Sequence, residues 1–375
     1  MNSEQTFVVT PTAYVYGGET IARLPDGRAV FIPFSVPGEK IEIQLVEDKE
    51  RYARAEIIEI VESSPDRIKA RCPHFQECGG CHYQHLPYQH QLDLKAEVLR
   101  DQLERLGKLE APPVEQTIPS PTPWRYRNHL QFQISPQGKL GFFRHRSHQV
   151  VPIQECYLPD PVIDLIWPEV AADPVPGMDR ITIRSGEAGE DALLILESSD
   201  PQPVEFSLDL TISAVHQGPG GDLILAGDDF TIQEIFEFPF VVSAGSFFQV
   251  NNGAAERLVS VLLDSLPLNS DQMVLDLYCG VGLFSLFLAQ EVDRVIGVEA
   301  SHDAAQDFLY NLRDFENVEL YDLPVEEVLP YLKLQPDIII LDPPRAGIPP
   351  EVLDDVVRLQ SDWIAYISCD PATLG

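Results

Sequence analysis

The sequence predicts a multidomain α/β protein with a small OB-like β-barrel at the N-terminus, a β-rich central region, and a C-terminal Rossmann-like domain with an incomplete sheet. Three observations predict it. A chain of 375 residues exceeds what one ordinary core organises, so two or three domains are expected. Short β-rich runs separated by Gly and Pro turns fill residues 6 to 62. After residue 241, strand-like and helix-like runs alternate, which is the pattern of a parallel sheet covered by helices.

The first region contains FVVTPTAYVY, RAVFIPF, EKIEIQLVED and YARAEIIEIVE, punctuated by YGGET, LPDGR and SVPGE, and reads as a five-stranded barrel. Such barrels serve RNA binding in some proteins and only architecture in others. Residues 88 to 107, YQHQLDLKAEVLRDQLERLG, read as an amphipathic helix with Leu92, Leu99, Leu103 and Leu106 on its apolar side and Gly107 as its stop. Residues 118 to 240 are β-rich, with loops at PSPTP and GPGGD. Beyond them the strand-like runs MVLDLY, RVIGVEA, NVELYD, DIIILD and WIAYIS alternate with LFSLFLAQ, DAAQDFLYNLRDF, VEEVLPYL and PEVLDDVVRLQ. The expected division is residues 1–62, the barrel; 63–87 with 118–240, a central domain; and 88–117 with 241–375, the Rossmann-like domain.

No apolar run approaches the roughly 18 residues of a membrane span, and the first 30 residues lack a basic segment followed by an apolar one. A cytoplasmic protein acting as a monomer, with no membrane partner, is expected. Six cysteines are too few for a disulfide scaffold, and three cluster within ten residues, which favours metal binding or catalysis in a reducing compartment. The net charge of −33 argues at first against nucleic acid. The charge is uneven, however: residues 1–62 carry −5, residues 63–157 carry +3, and residues 158–375 carry −31. A polyanion would bind the middle segment, which also holds seven of the nine histidines.

The stretch VLDLYCGVGLFSLFLA, residues 274 to 289, is strand, glycine turn and helix, with Asp276 at the strand end and Gly280 and Gly282 permitting close approach of a ligand. Alone, G-x-G is only a tight turn. Glu299 ends the next strand 23 residues after Asp276, where a carboxylate can accept hydrogen bonds from both ribose hydroxyls. Ser285 stands where a dinucleotide fold has its third Gly, so S-adenosylmethionine is preferred over NAD. The fourth strand runs into LDPPRAGI, whose prolines fix a loop carrying Asp342 and Arg345. The fifth delivers Cys369 to the same carboxyl edge.

In this order, DLYCGVG, GVEA, LDPPRAG and SCDPATL, preceded by SFFQVNNGAAERLV, resemble the S-adenosylmethionine-dependent RNA uracil-5-methyltransferase family. The resemblance covers nearly the whole chain and implies an N-terminal TRAM domain. It also implies that Cys369 is a nucleophile adding to uracil C6, and that Gln249, Tyr278, Glu299 and Asp342 contact the cofactor. Thiolate addition gives C5 the carbanion character it needs to take a methyl group, and a base must then remove the C5 proton.

The segment RCPHFQECGGCH holds Cys72, Cys78 and Cys81 as C-x5-C-x2-C, with Cys156 a distant fourth. Spacing leaves zinc and an iron-sulfur cluster open. The resemblance implies a [4Fe-4S] cluster of architectural role, and large-subunit (23S) rRNA as the substrate, with tRNA as the alternative. Between the third and fourth cysteines, residues 124 to 150 interleave Arg125, Arg127, Arg144 and Arg146 with Trp124, Tyr126, Phe142, Phe143 and His145. Cations beside aromatic faces suit unpaired RNA, whose target base must leave its stack to be modified.

The expected function is therefore methylation of a uridine to 5-methyluridine during rRNA processing. A tRNA T-loop enzyme and a non-catalytic iron-sulfur RNA-binding protein are the alternatives. The resemblance places the catalytic base, a Glu, downstream of the nucleophile motif, and a sheet of this type normally has about seven strands. A chain ending at Gly375 is accordingly expected to be poorly stable and to turn over little.

Overall fold

Pro11 interrupts the first β-rich run, because proline supplies no N–H to a strand ladder. The computed structural model, which describes residues 5–172, 177–186, 191–200 and 210–375, accordingly has two strands there, β1 (Thr6–Val9) and β2 (Ala13–Tyr14). With β3 (Glu19–Arg23), β4 (Ala29–Pro33), β5 (Lys40–Asp48) and β6 (Tyr52–Glu62) they form a sheet of order β1-β5-β6-β4-β3-β2. The expected five strands are thus six. Val30, Ile32, Ile41, Ile43 and Ala53, spaced two apart along their strands, are fully buried and form its core.

The chain divides into two compact units, residues 1–119 with 141–155 and 374–375, and residues 120–140 with 156–373. The first also holds α1 (Tyr88–Arg105). Its buried side is Leu94, Val98 and Gln102, four residues apart, together with Leu92; Leu94 packs with Val36 and Leu86. The expected stripe is therefore corrected: Leu106 is exposed, and Leu99 and Leu103 are only half-buried. Leu94, adjacent to the barrel's Val36, sets the rotation of the helix.

The central region contributes β7 (His129–Ile134), then β8 (Leu140–Phe143) and β9 (Val150–Pro152), which pair antiparallel. After α2 (Pro161–Ala172) come β10 (Arg180–Ser185), β11 (Ala192–Glu197), β12 (Ser213–Gly218) and β13 (Gly221–Ala226). Within the second unit these strands run in the order β13-β12-β11-β10-β7. The hairpin of β14 (Phe230–Ile235) and β15 (Phe238–Ser243) leads to α3 (Asn252–Ser265), whose N-cap Asn251 accepts the Ala254 N–H.

The alternating region forms β16 (Met273–Leu277), α4 (Leu283–Leu288), β17 (Arg294–Glu299), α5 (His302–Asn311), β18 (Val318–Asp322) and α6 (Val325–Val328). It continues through β19 (Ile338–Leu341), α7 (Pro350–Arg358), β20 (Trp363–Tyr366) and α8 (Pro371–Leu374). The five expected strands are present and parallel, in the order β18-β17-β16-β19-β20. Ile338 and Ile340 of β19 enter one apolar cluster, Ile339 and Leu341 another, so the strand is buried on both faces. The chain runs outward in opposite directions from β16 to β17 and from β16 to β19. That reversal opens a crevice at the carboxyl ends of the strands. Among the described residues, no helix is long and apolar enough to cross a membrane.

Candidate active site

The crevice begins at the turn after β16. Tyr278 (φ 62°), Gly280 (φ 55°) and Gly282 (φ 92°) all take left-handed backbone angles. The two glycines differ in purpose. A Cβ on Gly282 would lie 2.4 Å from Leu312 Cδ1, whereas one on Gly280 would meet nothing within 4 Å. Gly282 is required by packing, and Gly280 leaves open space beside the turn.

Glu299 braces this turn. Its Oε2 accepts the Gly280 N–H at 2.9 Å and its Oε1 accepts the Ser301 N–H at 2.7 Å, fixing a half-buried carboxylate that keeps lone pairs for a diol. The Tyr278 N–H donates to the Val298 carbonyl at 2.9 Å, and burial, then Glu326 and Tyr366, push its phenol up to about 12. Asp276 is wholly buried: Oδ2 accepts the Ser285 hydroxyl at 2.6 Å, and Oδ1 has no hydrogen-bond partner among the described residues. Burial pushes this carboxyl up to about 7, against the Ser285 hydrogen bond and with help from the negative Asp342 and Glu299.

On the other side of the crevice, the Asp342 N–H donates to the Leu277 carbonyl at 3.3 Å, and burial pushes the Asp342 carboxyl up to about 6. Arg345 is exposed in the loop that follows. The Ile367 N–H donates to the Leu341 carbonyl at 2.7 Å, so β20 delivers Cys369 to this edge as an exposed thiol. The Tyr366 phenol is raised by burial, then by the charges of Cys369 and Asp342. Cys279 contrasts with Cys369: it is buried, and burial holds its thiol well above the usual range. The structure thus gathers Tyr278, Glu299, Asp342 and Cys369 at the carboxyl edge of one sheet. Gln249 lies on the segment entering α3, with a half-exposed side chain and a carbonyl that accepts Asn128 Nδ2 at 3.0 Å. Asn128, Gln233 and Asn252, which hold that segment, escaped the sequence reading; the one signal was the alternation in FTIQEI, which puts Gln233 on a buried face.

Cys72, Cys78 and Cys81 lie half-buried in the first unit, and Cys156, also half-buried, in the second. Burial raises the thiols of Cys72 and Cys78, and both also feel Cys81. The Gly80 N–H donates to Cys78 Sγ at 3.4 Å. Gly79 donates to the Phe143 carbonyl, which a Cβ there would approach to 2.8 Å. Thiolate donors are of the type that holds zinc or an iron-sulfur cluster. Among the described residues, no group of three or more His, Cys, Asp or Glu is gathered closely enough to hold a metal ion.

The interleaved basic stretch is divided between the two units, and two of its four arginines are paired with carboxylates. Arg125 pairs with Asp164 at 3.1 Å, and Arg146 with the buried Glu19 at 2.9 Å. Trp124 packs edge-on to Tyr157, and His145 to Phe34 and His82. Phe143 and Arg144 remain exposed.

A parallel sheet reversing at β16, a glycine turn braced by an acidic strand end, and an acidic loop opposite define the class: a Rossmann-like methyltransferase fold. Comparison with known proteins agrees. The family model for tRNA (uracil-5-)-methyltransferase matches residues 229–375, and that for the TRAM domain matches residues 2–58. A protein of Halalkalibacterium halodurans named as an uncharacterized RNA methyltransferase is 32% identical, covering 100% of this chain and 90% of its own. One of the same name from Synechocystis is 33% identical over 98% and 87% of the two chains. The crystal structure of Pyrococcus abyssi tRNA (uracil-54, C5)-methyltransferase in complex with S-adenosyl-L-homocysteine superposes with a TM-score of 0.72 at 24% identity, covering 98% and 91% of the chains. The chain belongs to the RNA uracil-5-methyltransferase family, whose members are enzymes that transfer a methyl group to RNA.

Proposed function

We propose that this enzyme methylates C5 of a uridine in RNA, with Cys369 as the nucleophile and S-adenosylmethionine as the methyl donor. The carrying observation is an exposed thiol at the carboxyl edge that Asp342 and Tyr366 share. The Cys369 thiolate adds to uracil C6, and the C5–C6 π electrons move into an enolate. C5 then bonds to the methyl carbon as its bond to sulfur breaks. Loss of the C5 proton to a base re-forms the double bond and expels the thiolate. The cofactor supplies an electrophilic methyl group on a sulfonium. Glu299 would accept hydrogen bonds from its ribose hydroxyls, and Gln249, Tyr278 and Asp342 would hold the rest of it.

The C-x5-C-x2-C spacing of Cys72, Cys78 and Cys81, with Cys156 as fourth donor, supports a [4Fe-4S] cluster held by these four thiolates, with zinc as the alternative metal. Its role is architectural, since methyl transfer from a sulfonium needs no redox partner. Iron and sulfide analysis of anaerobically purified protein separates the two. Large-subunit rRNA is the proposed substrate, in the cytoplasm, met by a monomer with a TRAM domain at residues 1–62, a central domain at 63–87 and 118–240, and a methyltransferase domain at 88–117 and 241–375. The match of residues 229–375 to the tRNA (uracil-5-)-methyltransferase model supports a tRNA T-loop as second reading.

Incubating the chain with labelled S-adenosylmethionine and rRNA or tRNA, then digesting to nucleosides, tests the proposal. Label in 5-methyluridine is the expected result, and its position identifies the substrate. Label confined to other nucleosides contradicts it.

A further inference from the structure

Three amides from distant parts of the chain meet behind Gln249. Asn128, which precedes β7 and is 8% exposed, points Nδ2 at the Gln249 carbonyl (3.0 Å), Gln233 Oε1 (3.0 Å) and Asn252 Oδ1 (2.6 Å). Its own N–H donates to the Val250 carbonyl at 3.1 Å. Two consecutive carbonyls of the segment entering α3 are thus held by one residue. Gln233, 1% exposed on β14, takes a further bond from Asn252 Nδ2 at 3.1 Å and gives Nε2 to the Ser185 carbonyl at 2.5 Å. The cluster therefore ties β10, β14 and the start of α3 to one point.

Buried amides are costly unless satisfied, and apolar side chains of similar size would fill the same space without that demand. What the amides add is direction. Fixing the carbonyls of Gln249 and Val250 fixes the backbone angles from which the Gln249 side chain departs. That side chain makes no hydrogen bond of its own among the described residues.

We infer that Asn128, supported by Gln233 and Asn252, is a positioning residue that aims Gln249 at the methyl donor. This rests on the reading of Gln249 as a cofactor contact, and the test separates the two. Affinity of the full chain for S-adenosylmethionine is measured by calorimetry for the parent, Gln249→Ala, Asn128→Ala and the double variant. Gln249→Ala and Asn128→Ala should each weaken binding about tenfold, the loss expected for one hydrogen bond to a polar ligand. The double variant should stay within about twofold of Gln249→Ala, because a residue acting through Gln249 has nothing left to aim.

Equal losses from Asn128→Ala in both backgrounds overturn the inference, since a merely structural role adds independently. So does an Asn128→Ala variant that binds like the parent while Gln249→Ala does not. Unchanged binding by Gln249→Ala instead overturns the cofactor reading of Gln249, and this inference with it. Should Asn128→Ala fail to fold, Asn252→Ala at a half-buried position enters the same cycle, with about a threefold loss expected.

Discussion

Cys369 and Cys279 show how the position of one residue separates reactivity from packing. Both follow strands of the same sheet, yet one thiol is exposed at its carboxyl edge while the other is sealed in the core. Asp276 and Asp342 make the site sensitive to pH. Their folded values, about 7 and about 6, lie above the unfolded value of 3.8. Stability from each is therefore complete below the unfolded value and is lost as pH rises through the folded one. Between about pH 5 and about pH 8 the parent should lose roughly 2–3 kcal/mol through Asp276, and Asp276→Asn should flatten that decline. Denaturant unfolding across this range checks it; parallel curves for parent and variant would contradict it.

Elements with two buried faces were the most legible part of the chain. β19 reads as IIIL because helices cover it on both sides, so an apolar run between turns sufficed to find it. The strand-end positions of Glu299, Asp342 and Cys369 followed from the same pattern, but the role of Cys369 did not, since a lone Cys at a strand end reads first as packing and only the resemblance made it a nucleophile. Features set by distant contacts were not legible. The buried side of α1 depends on Leu94 meeting Val36, and the amide cluster joins residues more than 100 positions apart. At the glycine turn the structure separates two roles that G-x-G runs together. Gly282→Ala should destabilise the protein by about 2 kcal/mol or more, because the added carbon overlaps Leu312 at a positive φ. Gly280→Ala should cost only about 1 kcal/mol of stability yet weaken S-adenosylmethionine binding about tenfold. Thermal melts set beside calorimetric titrations test the pair, and equal losses of stability would refute the distinction.

For the whole molecule, the governing quantity is charge. Most of the net −33 falls in residues 158–375, while the cations of the central stretch are partly spent on Glu19 and Asp164. Sequence could locate those arginines but not their pairing, because Glu19 lies 127 positions from Arg146. Self-repulsion should make the fold more stable as salt is added: Tm should rise by several degrees between about 0.05 M and about 1 M NaCl, as the screening length shrinks from more than 10 Å to about 3 Å. A Tm that falls with salt would show that internal ion pairs outweigh repulsion.

The sheet edge where Cys369 stands opposite the glycine turn makes one claim testable above the others, that this thiol attacks uracil. RNA carrying 5-fluorouridine offers C5 no proton to lose, so the chain should stop after addition and methyl transfer, covalently joined to the RNA. With S-adenosylmethionine present, a denaturation-resistant adduct of enzyme and RNA should form whose cross-linked peptide contains Cys369, and none should form with Cys369→Ala. An adduct of equal yield in Cys369→Ala, or none in a parent chain that binds both RNA and cofactor, would contradict it.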